Sequence, residues 1–203
     1  MRVILFMLAL FTSIRLTTAS DDVRALIVIP VRIHLVQSSR YPSLHALMTE
    51  TTIRSLWTEV DSIWSAARVR FVIESVEPLI SIDVPAKRWL QRDRNWVRSA
   101  IPASKLHGDA LDLCFVHEMG PNGFYYGEPV VVSETPAAYK VSGGAENRVA
   151  RVIAHELGHA MTLQHRDPKT ALMAPGSTGI KLDEKEILSA RKAAEQWLAS
   201  FLR

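Results

Sequence analysis

The sequence predicts an α+β fold, on three observations. An apolar strand, an amphipathic helix and a second strand follow one another between residues 26 and 76. Short apolar strands follow up to residue 132, and two long helical patterns occupy the C-terminal third. A strand, helix, strand order favours a parallel pair joined by a crossover, so we expect a sheet with helices packed against it.

The N-terminus has the pattern of a signal peptide over residues 1–20. Arg2 supplies a positive charge, Val3–Phe11 is apolar, and Thr17–Ser20 offers small residues for cleavage. A membrane anchor is the alternative, but the apolar run is about half of the roughly 20 residues that a span requires, and Arg15 interrupts it. We therefore expect export, as a secreted or periplasmic protein without stable membrane insertion.

The part that remains after export, residues 21–203, has the length of one domain with a substantial core. Removal of Arg2 and Arg15 lowers the formal charge from +3 to +1, which does not favour nucleic acid as a partner. Cys114 is the only cysteine, so an internal disulfide and a Cys-rich metal site are excluded. We expect a monomer.

The first elements follow from apolar periodicity. Alternation over Leu26–Val36 predicts a strand, whose regular part we expect to begin at Pro30. Apolar residues at helical spacing predict a core-facing helix over Glu50–Ala67. Alternation over Arg70–Val76 predicts the second strand.

A basic segment, Lys87–Arg98, interleaves five Lys and Arg residues with two tryptophans. Such a mixture can bind nucleic acid or an anionic surface. The favoured interpretation is a helix whose Trp89, Trp96 and Val97 face the core while the charges face solvent.

Three short strands are expected next. Leu111–Phe115 alternates as a third strand. A turn at Gly120–Gly123 precedes two further candidates, Phe124–Tyr126 and Val130–Val132.

The strongest motif lies on a helix that we expect to begin near Glu146. His155 and His159 are four residues apart, so they share one helical face and can bind one metal ion. Glu156 lies further round the helix and can reach a water beside that ion as a general base. His165 can join them only if the helix ends near Thr162 and the chain turns back.

Two interpretations without catalysis compete with this one: an ordinary buried helix, and a zinc site that only supports the fold. A structural zinc usually has four protein ligands and favours Cys, whereas only three ligands are evident here and Cys114 is distant in sequence. His117 is a weak candidate for a fourth ligand. Asp167 is a less favoured alternative to His165 as the third.

The last helix has its own start signal. Asp183 and Glu186 have the spacing of an N-cap and its capping-box partner. The apolar residues that follow along one side are Ile187, Ala190, Ala194, Trp197, Leu198 and Phe201.

The segment His155–His165 resembles the zinc signature of the metzincin metallopeptidases, H-E-x-x-H-x-x-G-x-x-H. Thr162 stands where the family has Gly, a residue that readily adopts positive φ. Ala171–Pro175 resembles the family's Met-turn, and Met173 follows His165 by eight residues, as in the matrixin-like branch.

The resemblance implies a zincin-type fold: a twisted mixed sheet with an active-site helix and a C-terminal helix. It implies a zinc endopeptidase in which His155, His159 and His165 bind Zn²⁺, Glu156 is the general base and Met173 supports the site. It also makes Phe124–Tyr126 a candidate substrate-binding edge strand. The alternative is a secreted zinc-containing binding or structural protein without useful turnover, against which the presence of Glu156 argues.

Overall fold

The structure, a computed structural model, describes residues 25–85, 93–106 and 108–201. The signal-peptide prediction for residues 1–20 and the part of the basic segment at 87–92 lie outside these ranges. Within them, no helix combines the length and apolarity that crossing a membrane requires.

A five-stranded sheet of order β2-β1-β3-β5-β4 forms the centre of the domain. All neighbouring strands are parallel except the antiparallel pair β4 and β5, so the predicted twisted mixed sheet and the parallel β1–β2 pair are confirmed. The strands are β1 (Ile27–Gln37), β2 (Val69–Ile80), β3 (Leu111–Val116), β4 (Gly123–Tyr125) and β5 (Val130–Ser133).

Helices cover both faces of this sheet. Ile29, Val31 and Ile33 of β1 point to the larger core, which three helices share. The opposite face carries a smaller core with Val36 and Trp96. The helices are α1 (Glu50–Trp64), α2 (Arg94–Ala100), α3 (Arg148–Ala160) and α4 (Glu184–Phe201), of which α2 lies on the smaller core.

Two sequence-based expectations need correction. The first strand begins at Ile27, so Pro30 lies inside it and does not open it. Pairing with β3 starts only at Val31, so Pro30 lies where β1 has a neighbour on one side only, and its missing N–H costs no ladder bond there. In the basic segment, the helix begins only at Arg94, because the Asp93 carboxylate caps it.

The predicted capping box of the last helix is confirmed. Asp183 Oδ1 accepts a hydrogen bond from the Glu186 N–H at 2.8 Å, and Glu186 Oε2 accepts one from the Asp183 N–H at 2.9 Å. These two bonds satisfy N–H groups that a helix start leaves unpaired, and they fix where α4 begins.

Candidate metal centre

The helix α3 carries two of the three histidines, and its two ends are well defined. The Asn147 side chain caps its start by accepting from the N–H groups of Val149 and Ala150. The helix ends at Ala160, and Thr162 then adopts φ 66°, the left-handed conformation that glycine favours. The chain turns back there, as the position of the third histidine requires.

The turn brings His155, His159 and His165 together. His165 Nε2 lies 3.1 Å from His155 Nε2 and 3.0 Å from His159 Nε2. The other ring nitrogens are held by the backbone: His155 Nδ1 donates to the Leu172 carbonyl at 2.7 Å, and His159 Nδ1 donates to the Leu163 carbonyl at 2.9 Å.

These contacts test whether a metal ion fits. A carbonyl only accepts hydrogen bonds, so the Nδ1 atoms of His155 and His159 carry the protons and their Nε2 atoms present lone pairs. A single proton on His165 Nε2 can be donated to only one of these two lone pairs, whereas a cation between the three rings accepts a lone pair from each. Nitrogen ligands at about 2.0–2.1 Å from a tetrahedral metal ion lie roughly 3.3 Å apart. The cluster therefore fits a divalent cation, and imidazole donors suit a transition metal.

Burial keeps these imidazoles neutral, as metal binding requires. It lowers the pKa of His155 to about 3, with a further contribution from the charge of Arg151. Burial also lowers the pKa values of His159 and His165 below their ordinary value.

Glu156 faces a cavity of about 760 Å³ that His159 and His165 also line. Its side chain is buried, and among the described residues it has no hydrogen-bond partner. Burial raises its pKa to about 8, and the positive charge of Arg151 offsets part of that rise. A cation held by the histidines would lower this pKa again.

Gly123, the first residue of β4, provides the space for this carboxylate. A Cβ atom at Gly123 would lie 2.6 Å from Glu156 Cγ and 2.8 Å from its Oε1. Any larger residue would therefore displace Glu156.

Arg151 lies on α3 one turn before His155 and is buried without a carboxylate partner among the described residues. Its guanidinium donates to three carbonyls: Gly179 at 3.2 Å, Leu172 at 2.7 Å and Ala174. The Leu172 carbonyl also accepts from His155. Arg151 thus fixes the segment that orients His155, and burial lowers its pKa to about 10.

Met173 lies directly beneath α3. It is fully buried, and a Cβ atom at Gly158 would lie 2.6 Å from its sulfur. Its carbonyl accepts from the Arg166 N–H at 3.1 Å, and the Arg166 guanidinium pairs with Glu186 at 2.6 and 2.8 Å. This ion pair ties the chain next to His165 to α4.

Other sequence candidates lie outside the cluster. His117 Nδ1 is 3.2 Å from Glu134 Oε2 and takes no part in it. Within the described residues, the only set of three or more His, Cys, Asp or Glu side chains placed to share a metal ion is the three histidines, so Asp167 does not replace His165. Cys114 is a buried free thiol.

The sequence analysis missed Arg151, Gly123 and the ion pair of Arg166 with Glu186. One signal was available for Arg151, because it is a charged residue inside the apolar run from 149 to 154 and has the spacing that places it on the face of His155. Nothing near Gly123 in the sequence shows which side chain it faces.

Comparisons with known proteins identify the fold. No protein-family model and no curated protein matches the sequence. The structure is similar to archaemetzincin from Methanopyrus kandleri, with a TM-score of 0.51 and 15% identity over 86% of this chain and 96% of that one. The chain therefore has a zincin-type metallopeptidase fold.

Two further solved structures have lower TM-scores. Metalloproteinase-II from Bacteroides fragilis has a TM-score of 0.45 and 12% identity, covering 84% of this chain and 55% of that one. A chain in a chaperone–substrate complex has a TM-score of 0.47 and 12% identity, covering 85% of this chain and 35% of that one.

Proposed function

We propose that this protein is an exported zinc-dependent endopeptidase of the metzincin clan that hydrolyses peptide bonds in peptides or proteins. The observation that carries this proposal is a buried carboxylate, without a hydrogen-bond partner among the described residues, in the cavity lined by His159 and His165, whose imidazole nitrogens converge with that of His155. The spacing of Met173 after His165 favours a place near the matrixin-like branch.

His155, His159 and His165 would hold the zinc ion. Zinc, when bound, supplies a Lewis acid that acidifies water and polarises a carbonyl. The carbonyls of Leu172 and Leu163 keep the two helical imidazoles in the tautomer that binds metal.

Glu156 would move the proton. It lies next to the histidines in the cavity, and no group among the described residues competes for its oxygens. We therefore assign it the task of taking a proton from the attacking water and passing it to the leaving amine.

The strand β4 would align the substrate. It is an edge strand, and Phe124 and Tyr125 line the same cavity as Glu156. An extended peptide can add to such an edge by backbone hydrogen bonds, which places its carbonyls along the cavity.

Residues 1–20 would direct export and be removed, leaving a monomeric domain with no role in nucleic-acid binding or stable membrane insertion. N-terminal sequencing of the exported protein tests this. A start within a few residues of Ser20 is expected, and an intact Met1 would favour a membrane-tethered form.

The experiment compares Glu156→Ala with His159→Ala. We expect Glu156→Ala to keep its zinc and to lose about 10²–10⁴-fold in peptide cleavage, because the general base is gone. His159→Ala should lose both zinc and cleavage, because a ligand is gone. The measurements are zinc per chain by elemental analysis and cleavage of a mixed peptide library, with a chelator-treated sample.

His117→Ala is the matched control, since His117 lies outside the cluster, and it should keep zinc and activity. Undiminished cleavage by Glu156→Ala would contradict the general-base role. Absence of cleavage by the fully zinc-loaded protein would favour a binding protein on a peptidase scaffold.

A further inference from the structure

One residue in the second half of the basic segment lies at the cavity of the candidate metal centre. Arg94, the first residue of α2, lines the cavity that also contains Glu156, His159 and His165. Its exposed guanidinium is therefore available to a peptide bound at the histidines.

Arg94 is a charge without an ion-pair partner among the described residues. Among the described residues that line the cavity it is the only Lys or Arg, and Glu156 is the only acid. Several other described arginines, by contrast, pair with carboxylates: Arg54 lies 2.7 Å from Glu50, and Arg166 lies 2.6 Å from Glu186. Arg94 has no ion pair or hydrogen bond of its side chain within the described residues.

Aromatic contacts hold Arg94 at the cleft. Its Cζ atom lies 4.9 Å from the ring centroid of Tyr126, and that ring stacks on Phe124 with centroids 5.9 Å apart. Arg98, one turn later on α2, donates to the Tyr126 carbonyl at 2.8 Å. Because Tyr126 stabilises the guanidinium through its face, the N–H edge of Arg94 remains open to a ligand.

We propose that Arg94 binds a carboxylate of the substrate, so that the cleft selects acidic peptides. This inference rests on the proposed peptidase function. A guanidinium presents two parallel N–H groups that match the two oxygens of a carboxylate. The carboxylate can be an Asp or Glu side chain close to the cleaved bond, or the free C-terminus of the peptide.

The experiment starts from a peptide that the zinc-loaded protein cleaves in a mixed library. Derivatives carry Glu, Gln or Lys at each position beside the cleaved bond, with a free or an amidated C-terminus. The protein, Arg94→Gln and Arg94→Glu are compared by kcat/KM. Arg54→Gln is the matched control, because it removes the same charge from α1, away from the cavity.

We expect the protein to prefer one carboxylate-bearing peptide by about tenfold over its neutral derivative. Arg94→Gln should lose that preference and keep the rate on neutral peptides, Arg94→Glu should favour Lys, and Arg54→Gln should behave like the parent. Preference for internal Glu identifies the side chain as the source, and preference for a free C-terminus identifies the terminal carboxylate.

Binding gives a second readout that does not depend on turnover. Zinc-loaded Glu156→Ala, with and without Arg94→Gln, is titrated with the Glu and Gln peptides. The Glu peptide should bind about tenfold more tightly only when Arg94 is present. Equal binding and equal kcat/KM for acidic and neutral peptides would overturn the inference and leave the peptidase proposal intact, whereas failure to cleave any peptide would reject the peptidase proposal itself.

Discussion

Two buried groups of imidazole and carboxylate lie on opposite faces of the sheet, and they differ in how they are satisfied. His34 alternates with Ile33 along β1 and so faces away from the larger core and α3. Its Nε2 lies 2.7 Å from Asp112 Oδ1, and its Nδ1 faces Glu77 Oε1 at 3.6 Å. There one imidazole nitrogen is hydrogen-bonded to a buried carboxylate, and the other, Nδ1, is buried without a hydrogen-bond partner among the described residues.

The group on α3 has the opposite arrangement. His155 and His159 both point an Nε2 lone pair at the Nε2 atom of His165, and the carboxylate of Glu156 beside them has no hydrogen-bond partner within the described residues. A histidine hydrogen-bonded to its own carboxylate gives no sign of a metal ion, whereas a cation is what can satisfy three converging imidazole nitrogens together. Burial and residue type alone would not separate these two groups.

Addition of zinc should distinguish these two groups most strongly. Zinc at a thousandfold excess over its Kd should stabilise the protein by about 4 kcal/mol. His155→Ala should abolish that gain, and His34→Asn should keep it while lowering the stability of both forms. Thermal unfolding with zinc and with chelator measures this, and loss of the zinc effect in His34→Asn would show that the two groups are coupled.

A second pair of variants tests whether a buried arginine that donates to backbone carbonyls has a different role at the metal centre than elsewhere in the protein. Arg151 and Arg191 are both buried and both donate to backbone carbonyls, Arg191 to those of Ala67 and Ala25 at 2.9 Å. Replacing either by Met should cost about 2–4 kcal/mol, because buried acceptors lose their donor. Denaturant unfolding of the metal-free proteins checks that cost.

Only Arg151→Met should also weaken zinc binding, by about tenfold, because the Leu172 carbonyl that orients His155 loses its second donor. Competition with a chromophoric chelator measures this affinity. Equal zinc affinity in Arg151→Met and Arg191→Met would show that Arg151 stabilises the fold and has no effect on zinc binding.

The carboxylates of Asp112 and Glu156 are also held in place in different ways, and a substitution of Gly123 tests this difference. Asp112 is held by a hydrogen bond, whereas Glu156 is positioned by the space that Gly123 leaves. Gly123→Ala should lower kcat/KM about tenfold, or about 1.4 kcal/mol, without loss of zinc. Gly108→Ala is the control, because a Cβ there meets no atom within 4 Å. Unchanged activity in Gly123→Ala would mean that Glu156 has other acceptable positions.

The turn at Thr162 brings His165 back to the helix, and its backbone conformation can be tested. Thr162 has φ 66°, and the other non-glycine residue with positive φ within the described residues, Arg68, has φ 50°. Thr162→Gly should stabilise the protein by about 1 kcal/mol, since relief of backbone strain exceeds the added freedom of the unfolded chain. Denaturant unfolding checks this with Arg68→Gly in parallel, and a clear loss of stability would show that the Thr162 side chain contributes contacts.

Local patterns were predictable from the sequence. The helix of His155 and His159, its end before Thr162 and the capping box of Asp183 with Glu186 depend on residues a few positions apart, so spacing alone reveals them. The alternating strands were predictable for the same reason. The parallel pairing of β1 and β2 followed from the crossover between them.

Contacts between distant segments were not predictable. Gly123 faces Glu156 across 33 positions of sequence, and Arg151 reaches the Gly179 carbonyl 28 positions away. The expectation that the first strand begins at Pro30 was wrong, because Pro is excluded from a strand only where the strand pairs with a neighbouring strand on both sides. The charges of α2 were expected to face solvent, and Arg98 also contacts the backbone of Tyr126.

Under the proposed peptidase function, the shortness of β4 limits which proteins can be substrates. The strand has three residues, and among the described strands it is the last of the sheet on that side. A chain laid along it can pair over about 10 Å. That length is shorter than most strands or helices of a folded protein. A segment of the substrate must therefore leave its own secondary structure before it can pair with β4. We therefore expect the rate of cleavage to follow how often a segment of the target opens, with flexible tails and loops cut first and stable domains left whole.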